Sequence, residues 1–495
     1  MKVTFVHQGR ENLGLEMLSA VLKQAGHQVT LAYDMGLFGK NDNVFYIPVL
    51  ERFFSQESEV LNTIFRSQPD ILAFSSYTGT HTWCIQIAKK VKQKMDVPVV
   101  FGGCHPTLVP DRVMESPVVD FVIIGEGEVT FPILLSTLEQ KGDLAEVPSL
   151  AWKKDGEFIQ NPLAEPVANL DSLPYPDKEL FKPYLPLKDD YVIMTSRGCP
   201  NHCIYCGENF TNRLYNYRFF RRRSIENSIQ ELKNMKKRYK FRTVTFNDPI
   251  FFTDRKWLFE FMEVYKKEIG LPFRCFGQVR YLDDEIASLL KKSGCYCVEF
   301  GLQTWNENIR KDLQTPPGDN EIYFSAFKAC DRHGLLYDID HMFGLPGETE
   351  EDFRLGTTFY KELTHLNRIK CHHLTYYPRL PIIELAREQG IIDDKKIEDL
   401  ESAKEKGDFF HPEDFNSNLK GYLVLYKILP LLSSSRIEKI LKGKGLARLG
   451  KLPGLVINFL QLLLAIKKRD FRFWLYFKYY PLRFFRKFFP PGRKV

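Results

Sequence analysis

Short apolar runs alternate with stretches of helical period along the first 135 residues. KVTFV (2–6), HQVTLAY (27–33), ILAFSS (71–76), PVVFGG (98–103) and FVIIGEG (121–127) read as strands. Gly14–Ala25 reads as a helix that ends at Gly26, a residue suited to a C-cap, and Ile85–Lys94 reads as another. Apolar strands with helices between them predict a parallel sheet covered on both faces. Such a doubly wound, Rossmann-like domain binds its ligand beyond the carboxyl ends of its strands. Those ends are Ser75–Ser76, Gly102–Gly103 and Gly125–Glu128.

The next stretch holds a hairpin pattern, SLAWKKDGEFIQN (149–161), and a proline-rich connector, NPLAEPVANLDSLPYP (161–176). A second strand–helix alternation opens at Tyr191. YVIMTS (191–196), TVTFND (243–248), FRCFGQV (273–279), CVEFGLQ (297–303), YDIDHMF (337–343) and HHLTYY (372–377) read as its strands. About six βα units predict a partial or complete (β/α) barrel, with chemistry at the carboxyl ends of the strands. The chain thus divides into residues 1–140, a hairpin and linker over 141–186, a barrel over 187–395, a helical region over 396–450 and a tail over 451–495.

Composition and charge narrow the classes. The 495 residues exceed one ordinary core. With 44% hydrophobic and 26% charged residues, the chain is neither disordered nor fibrous. Net charge is +7, but residues 451–495 carry 11 Lys and Arg and one acid, which leaves the rest at net −3. A near-neutral body argues against a nucleic-acid partner; a basic tail meets an anionic surface. MKVTFVHQGR lacks the apolar stretch of a secretory signal, and ten Cys are too sparse for a disulfide scaffold. A cytoplasmic location is expected. The longest apolar run, Gly454–Ile466, falls short of the ~20 residues that span a bilayer.

Three Cys cluster in SRGCPNHCIYCGENF (196–210), spaced Cys199-x3-Cys203-x2-Cys206. Three thiolates on one loop can hold three irons of a cubane cluster and leave the fourth open. A structural zinc site takes four protein ligands, and His202 supplies the fourth in that alternative. The loop follows the strand that opens the barrel, a placement that favours the cluster. With aromatic Tyr205 before the last Cys, the loop resembles the signature of the radical S-adenosylmethionine (SAM) superfamily. The resemblance implies a [4Fe-4S] cluster on Cys199, Cys203 and Cys206. It implies SAM chelated to the open iron and cleaved to a 5′-deoxyadenosyl radical, with Tyr205 against the adenine. Further strand ends are then candidate contacts to SAM or substrate. They are Asn247 and Asp248 (a helix cap is the alternative), Gln278 with Arg280 after it, Glu299, and Gln303, where the family often carries Glu. HMFGLPGETEEDF (341–353) resembles a late-barrel stretch in which Gly344, Pro346 and Gly347 serve a tight turn. There Glu348–Glu351 place acids at a helix start.

GGCHPT (102–107) and GEGE (125–128), placed before such a barrel, resemble the cobalamin-binding domain of cobalamin-dependent radical SAM proteins. The resemblance implies contacts at Ser75, Ser76, Gly102, Gly103, Gly125 and Gly127. His105 is either a contact or a local hydrogen-bonding residue. The Asp-x-His-x-x-Gly motif that ligates cobalt is absent; the matching loop reads HQGRENLGLE (7–16), with His7 at its start. Cobalamin would then bind with its lower face unligated or water-ligated. A degenerate domain is the alternative.

The tail mixes apolar and aromatic residues with Arg and Lys. Such a segment reads as an interfacial anchor on the inner membrane face. Packing on the barrel, nucleic-acid binding and a protein partner are the alternatives, and Leu462–Ile466 and Phe484–Phe489 suit acyl chains better than phosphates. The expected fold class is α/β: a Rossmann-like cobalamin-binding domain, a partial radical SAM barrel and a helical basic C-terminal region. The expected activity is methylation of an unactivated carbon on a hydrophobic or lipid-like small molecule. One SAM would methylate cob(I)alamin, a second would yield the radical, and flavodoxin or ferredoxin would donate electrons. Cyclisation or C–C coupling on the same scaffold is the alternative, followed by a non-catalytic cobalamin or cluster sensor. Cys84 and Cys104 do not form the additional cluster set of methylthiotransferases. Cys275, Cys295, Cys297, Cys330 and Cys371 are expected to be buried structural thiols.

Overall fold

The computed structural model describes residues 1–36, 48–185, 187–216, 220–404, 416–468, 470 and 481. The first sheet contains β1 (Lys2–Gln8), β2 (Gln28–Asp34), β3 (Ile71–Ser75), β4 (Val99–Gly102), β5 (Phe121–Ile123), β6 (Leu150–Lys154) and β7 (Glu157–Gln160). Its order is β2-β1-β3-β4-β5-β6-β7. The first five strands pair in parallel, and the hairpin β6–β7 extends the same sheet antiparallel. Alternation sorts the side chains. Val3 and Phe5 pack with Leu15 and Phe131 on one face; Val6, Leu72 and Phe74 pack with Ile64 and Ile87 on the other. The helix expected at Ile85 starts earlier, at Thr78, because the Tyr77 N–H donates to Thr80 Oγ1 at 3.3 Å and caps it.

Two imidazoles lie under β3 and β4. His105 is fully buried with Nδ1 3.1 Å from Thr78 Oγ1, and His81 Nδ1 is 3.2 Å from Ser76 Oγ. Their rings are 4.5 Å apart. Burial lowers His81 to about 4 and, with the neighbouring His81, lowers His105 to about 3. His105 thus makes a local hydrogen bond in the core through Nδ1, while its Nε2 has no hydrogen-bond partner among the described residues.

The second sheet holds β8 (Asp190–Ile193), β11 (Thr243–Phe246), β12 (Phe273–Gly277), β13 (Cys295–Gln303), β14 (Tyr337–Phe343) and β15 (Leu366–His373). All six pair in parallel in the order β15-β14-β13-β12-β11-β8, an open barrel. The short strands β9 (Ser196–Arg197) and β10 (Arg221–Arg222) pair beside it. Val298, Phe300, Ile339 and Ile369 sit in the apolar core with helix residues such as Phe327. The alternate residues face inward. This explains why the last strand runs over LNRIKCHH and ends at His373, ahead of the expected HHLTYY. Arg368, Lys370 and His372 are its inward positions and break the apolar pattern of a buried strand.

Helix Ser417–Ile428 packs on β15, and helix Gly454–Lys468 packs on that helix, burying Leu464 and Ala465. Asp470 then accepts a hydrogen bond from Arg368. The tail thus begins against the barrel. The rest of it, including Phe484–Phe489, lies outside the described residues. Among the described residues no helix is long and apolar enough to cross a membrane.

The linker is pinned to the first domain by charge. Lys178 Nζ lies 2.8 Å from Glu11 and 2.7 Å from Glu16, and Lys178 and Glu16 are fully buried. Replacing Lys178 by Met strands the Glu16 carboxylate and is expected to cost about 3–5 kcal/mol in chemical denaturation of the apo chain. A second expectation concerns pH. Both core imidazoles titrate below the 6.5 of a free one, so the unfolded chain takes up protons that the folded chain refuses. Their contribution is complete above about pH 6.5 and declines as pH falls toward about 4. Thermal melts at about pH 7 and about pH 5 should differ less in a His105→Asn variant than in the wild type.

Candidate functional site

A cavity of about 450 Å³ opens at the carboxyl ends of β1, β3, β4 and β5. Phe5, Ala73, Val100, Ile123 and Phe131 make its apolar walls, with Asn12, Ser75, Ser76 and Glu126 among its polar residues. Protein interiors leave few voids larger than a water, so an apolar chamber of this size at a switch point is built for a ligand. Ser75, Ser76, Gly102, Gly103, Gly125 and Gly127 all line it, and His105 does not. The glycines differ in their reasons. A Cβ on Gly102 would meet nothing closer than Ile123 O at 3.8 Å, so its space is open. Gly103, at φ +98°, would bring a Cβ to 2.7 Å from Ser76 O, and Gly125, at φ +76°, would drive one into the Tyr215 hydroxyl. Protein neighbours, not only ligand approach, demand glycine at those two positions. His7 is buried, turns Nε2 to Arg10 O at 2.8 Å and is absent from the cavity lining. An apolar chamber with hydroxyls and bare backbone around it suits the hydrocarbon face and amide side chains of a macrocycle such as cobalamin, of which about 450 Å³ takes a part.

The barrel supplies part of the same wall. Met194, Arg197 and Arg223 line the cavity, and Arg197 ends the strand that runs into the cysteine loop. That loop is tied down by the helix after it. Asn212 Nδ2 donates to Cys199 O at 2.6 Å, and Asn209 Nδ2 donates to His202 O at 3.1 Å. Cys206 is the N-cap of helix Gly207–Leu214. Arg280 Nη2 donates to Asn201 Oδ1 at 2.6 Å from the opposite side. The thiols sense one another. Burial first, then the neighbouring sulfurs, push Cys206 up to about 12, and burial with Cys203 pushes Cys199 up to about 11. Such thiols ionise when they bind metal. Among the described residues no three His, Cys, Asp or Glu side chains converge so as to hold a single metal ion. A cubane gives each thiolate its own iron and needs no such convergence. His202, the fourth ligand of the zinc alternative, is exposed.

Around the loop the expected contacts separate. The Tyr205 hydroxyl accepts from Thr315 Oγ1 at 3.3 Å beside the Cys203 thiol. Asn247 is exposed at the end of β11. Gln278 Nε2 donates to Pro316 O at 2.6 Å, while its Oε1 and that of Gln303 are buried without a hydrogen-bond partner among the described residues. Those two amide oxygens, at the ends of β12 and β13, fit a cofactor that brings hydrogen-bond donors, as SAM does. Asp248 is held at one oxygen, while its Oδ2 is buried without a hydrogen-bond partner among the described residues. It is fully buried, and Oδ1 accepts from the Thr195 N–H (3.0 Å), the Thr195 hydroxyl (2.7 Å) and the Ser196 hydroxyl (2.6 Å). It braces the turn that launches the cysteine loop. Glu299 is likewise engaged, between Arg274 and Lys370, whose Nζ is 2.5 Å away. Two cations hold it in a charged floor across the inner face. Glu348 closes its own turn by accepting from the Gly344 N–H at 3.0 Å.

The sequence reading missed Arg274, Asp338, Lys370, Asp340 and His372. Lys370 Nζ is 3.4 Å from Asp338 in the floor. Nearer the carboxyl end of β15, half-exposed His372 places Nε2 3.2 Å from Asp340 Oδ1. The available signal was polar residues at alternate strand positions, Asp338 and Asp340 in one strand and Arg368, Lys370 and His372 in the next.

The B12 binding domain model matches residues 6–135, and the Radical SAM superfamily model matches residues 193–355. The uncharacterized methyltransferase PH0819 of Pyrococcus horikoshii is 28% identical over 360 residues, 70% of this chain and 75% of that protein. The anaerobic magnesium-protoporphyrin IX monomethyl ester cyclase of Rubrivivax gelatinosus is 25% identical over 413 residues, 79% of this chain and 70% of its own. The structure of the radical SAM methyltransferase TsrM from Kitasatospora setae, with cobalamin and a [4Fe-4S] cluster bound, matches with a TM-score of 0.61. It is 18% identical and covers 78% of each chain. Two domains in this order, a ligand chamber in the first and a three-thiol loop in the second sharing one wall, make the chain a member of the cobalamin-dependent radical SAM enzymes, whose cofactors are a [4Fe-4S] cluster, SAM and cobalamin.

Proposed function

We propose that this enzyme transfers a methyl group to an unactivated carbon of a hydrophobic or lipid-like molecule. The observation that carries the reading is the shared wall: Met194 and Arg197 line the cobalamin-domain cavity and lead directly into the cysteine loop. In this reading Cys199, Cys203 and Cys206 hold the cluster. Tyr205, Asn247, Gln278 and Gln303 adjoin SAM, and Ser75, Ser76, Gly102, Gly103, Gly125 and Gly127 adjoin cobalamin. When bound, SAM at the reduced cluster supplies a hydrogen-abstracting radical and cobalamin supplies the methyl group. The chain's own residues position and enclose. Asp248 fixes the root of the cysteine loop, and the Arg274–Glu299–Lys370 floor fills the inner face away from the cavity. His372, oriented by Asp340, offers a hydrogen bond to a polar group of the substrate. The substrate is thus an apolar body with one polar end. A small flavodoxin- or ferredoxin-type protein supplies the electrons.

The second reading, cyclisation or C–C coupling, draws on the cyclase relative. Anaerobic incubation with methyl-labelled SAM and lipid extracts separates the two. Methyl transfer puts label into an extracted product, and Cys203→Ala abolishes both that label and 5′-deoxyadenosine. An unlabelled rearranged product would overturn methyl transfer.

We further propose that the enzyme docks on the inner, anionic face of a membrane through helix Gly454–Lys468. Val456, Phe459, Leu463 and Ile466 are exposed at helical spacing opposite buried Leu464 and Ala465. Lys467 and Lys468 follow, and the one acid of 451–495, Asp470, is turned inward to Arg368, so the segment is cationic outside. Full-length protein should sediment with phosphatidylglycerol-containing vesicles, less so at high salt. Phe459→Glu with Leu463→Glu should weaken binding at least about tenfold. Undiminished binding, or a variant that instead dissociates a dimer, would overturn the assignment.

A further inference from the structure

Both ends of the cysteine loop are fastened to one short segment of the other domain. At the entry, Arg197 Nη1 donates to Glu126 Oε1 at 2.8 Å and Nη2 to Glu128 Oε1 at 2.6 Å. Arg197 stands two residues before Cys199. Its neighbour across the β9–β10 pair, Arg221, grips Glu126 with both terminal nitrogens, at 2.9 Å and 2.8 Å. At the exit, helix Gly207–Leu214 starts directly after Cys206, and the hydroxyl of its C-cap, Tyr215, accepts from the Glu126 N–H at 3.0 Å. That hydroxyl occupies the space a Cβ on Gly125 would need. The connector joins as well, with the Val167 N–H donating to Glu126 Oε2 at 3.2 Å and Arg221 Nη1 to Val167 O at 2.7 Å. Glu126 and Glu128 are largely buried, with side chains 12% and 6% exposed, and both line the cavity. A buried carboxylate with two guanidiniums is rigid in direction as well as in place, because the forks meet it in fixed planes.

We infer that Glu126 is a positioning residue that sets the separation and orientation of the cluster relative to cobalamin, by tying the root and the end of the cysteine loop to the wall of the cobalamin cavity. GEGE in this chain then works as the joint between the two cofactor sites, with Arg197, Arg221 and Tyr215 as its counterparts. The inference rests on the proposed cluster and cobalamin sites. It adds that neither site holds its place relative to the other without this carboxylate.

The test is spectroscopic and needs no substrate. Full-length chain is reconstituted anaerobically with iron and sulfide, loaded with hydroxocobalamin and reduced, so that the cluster and cob(II)alamin are both paramagnetic. The magnetic coupling between them reads their separation. Wild type should give one well-defined coupling. Glu126→Gln removes the charge without changing the side-chain shape. It should retain iron and cobalt but lose the defined coupling to a broad distribution, and Glu126→Asp should recover part of it. Glu128→Gln, which loses the pair with Arg197 and leaves Arg221 on Glu126, is the milder variant should Glu126→Gln not fold, and should broaden the coupling partway. Unchanged coupling in a folded, fully loaded Glu126→Gln overturns the inference, or, where Glu128→Gln stands in, unchanged coupling there. Loss of cobalt with an unaltered cluster also overturns it, because Glu126 would then serve the cavity alone. A wild type that retains only one of the metals removes the cofactor reading itself, a failure distinct from either of these.

Discussion

A carboxylate cannot be buried between two domains unless cations meet it, and at Glu126 two guanidiniums do. The rest of the arrangement depends on that junction. Parallel strands deliver every loop that follows them to one edge of a sheet, so each domain concentrates its chemistry along its carboxyl edge. Two such edges face each other here. A small set of directed, charge-assisted hydrogen bonds keeps them in register, beside an apolar cluster that joins Ile204, Leu345, Tyr376 and Leu380 to the first domain. Burial works to raise the Glu126 carboxyl, and Arg221 and Arg197 more than reverse it, so it stays charged and the tie holds across the ordinary pH range.

The barrel interior follows the opposite logic to the sheet of the first domain. There, both faces are apolar and the cavity walls are largely hydrocarbon. In the barrel, one face packs on helices and the inward face carries Arg274, Glu299, Asp338 and Lys370 in mutual contact. A network of this kind contributes little net stability, because desolvation offsets its Coulomb energy, but it makes a rigid polar floor. Asp470, from beyond the last described helix, extends that floor to Arg368. The region that a tail composition marks as surface-seeking is thus anchored in the barrel at its start, and among the described residues Val456, Phe459, Leu463 and Ile466 are exposed on its outer side.

What was legible in the sequence is what strand ends and local spacing record. Ser75, Ser76, Gly102, Gly103, Gly125 and Gly127 all reach one cavity because each follows an apolar run that could only be a strand. The cysteine loop is a local motif, and its helix follows within the same segment. Illegible were contacts that couple distant residues. Arg197 and Glu126 lie 71 positions apart, and nothing in either segment announces the other. The burial of His105 and Asp248 was hidden for a related reason: a polar residue at a strand end looks the same whether it faces a ligand or a neighbouring hydroxyl. The last barrel strand was misplaced because its inward positions are charged, so its most polar half read as loop and the aromatic residues after it read as strand.

Metal content decides most directly whether one chain carries both cofactors. After anaerobic reconstitution with iron, sulfide and hydroxocobalamin, and removal of unbound reagents, about four irons and about one cobalt per chain are expected. Iron retained without cobalt would contradict the assignment, leaving a radical SAM barrel beside a cavity that binds something else.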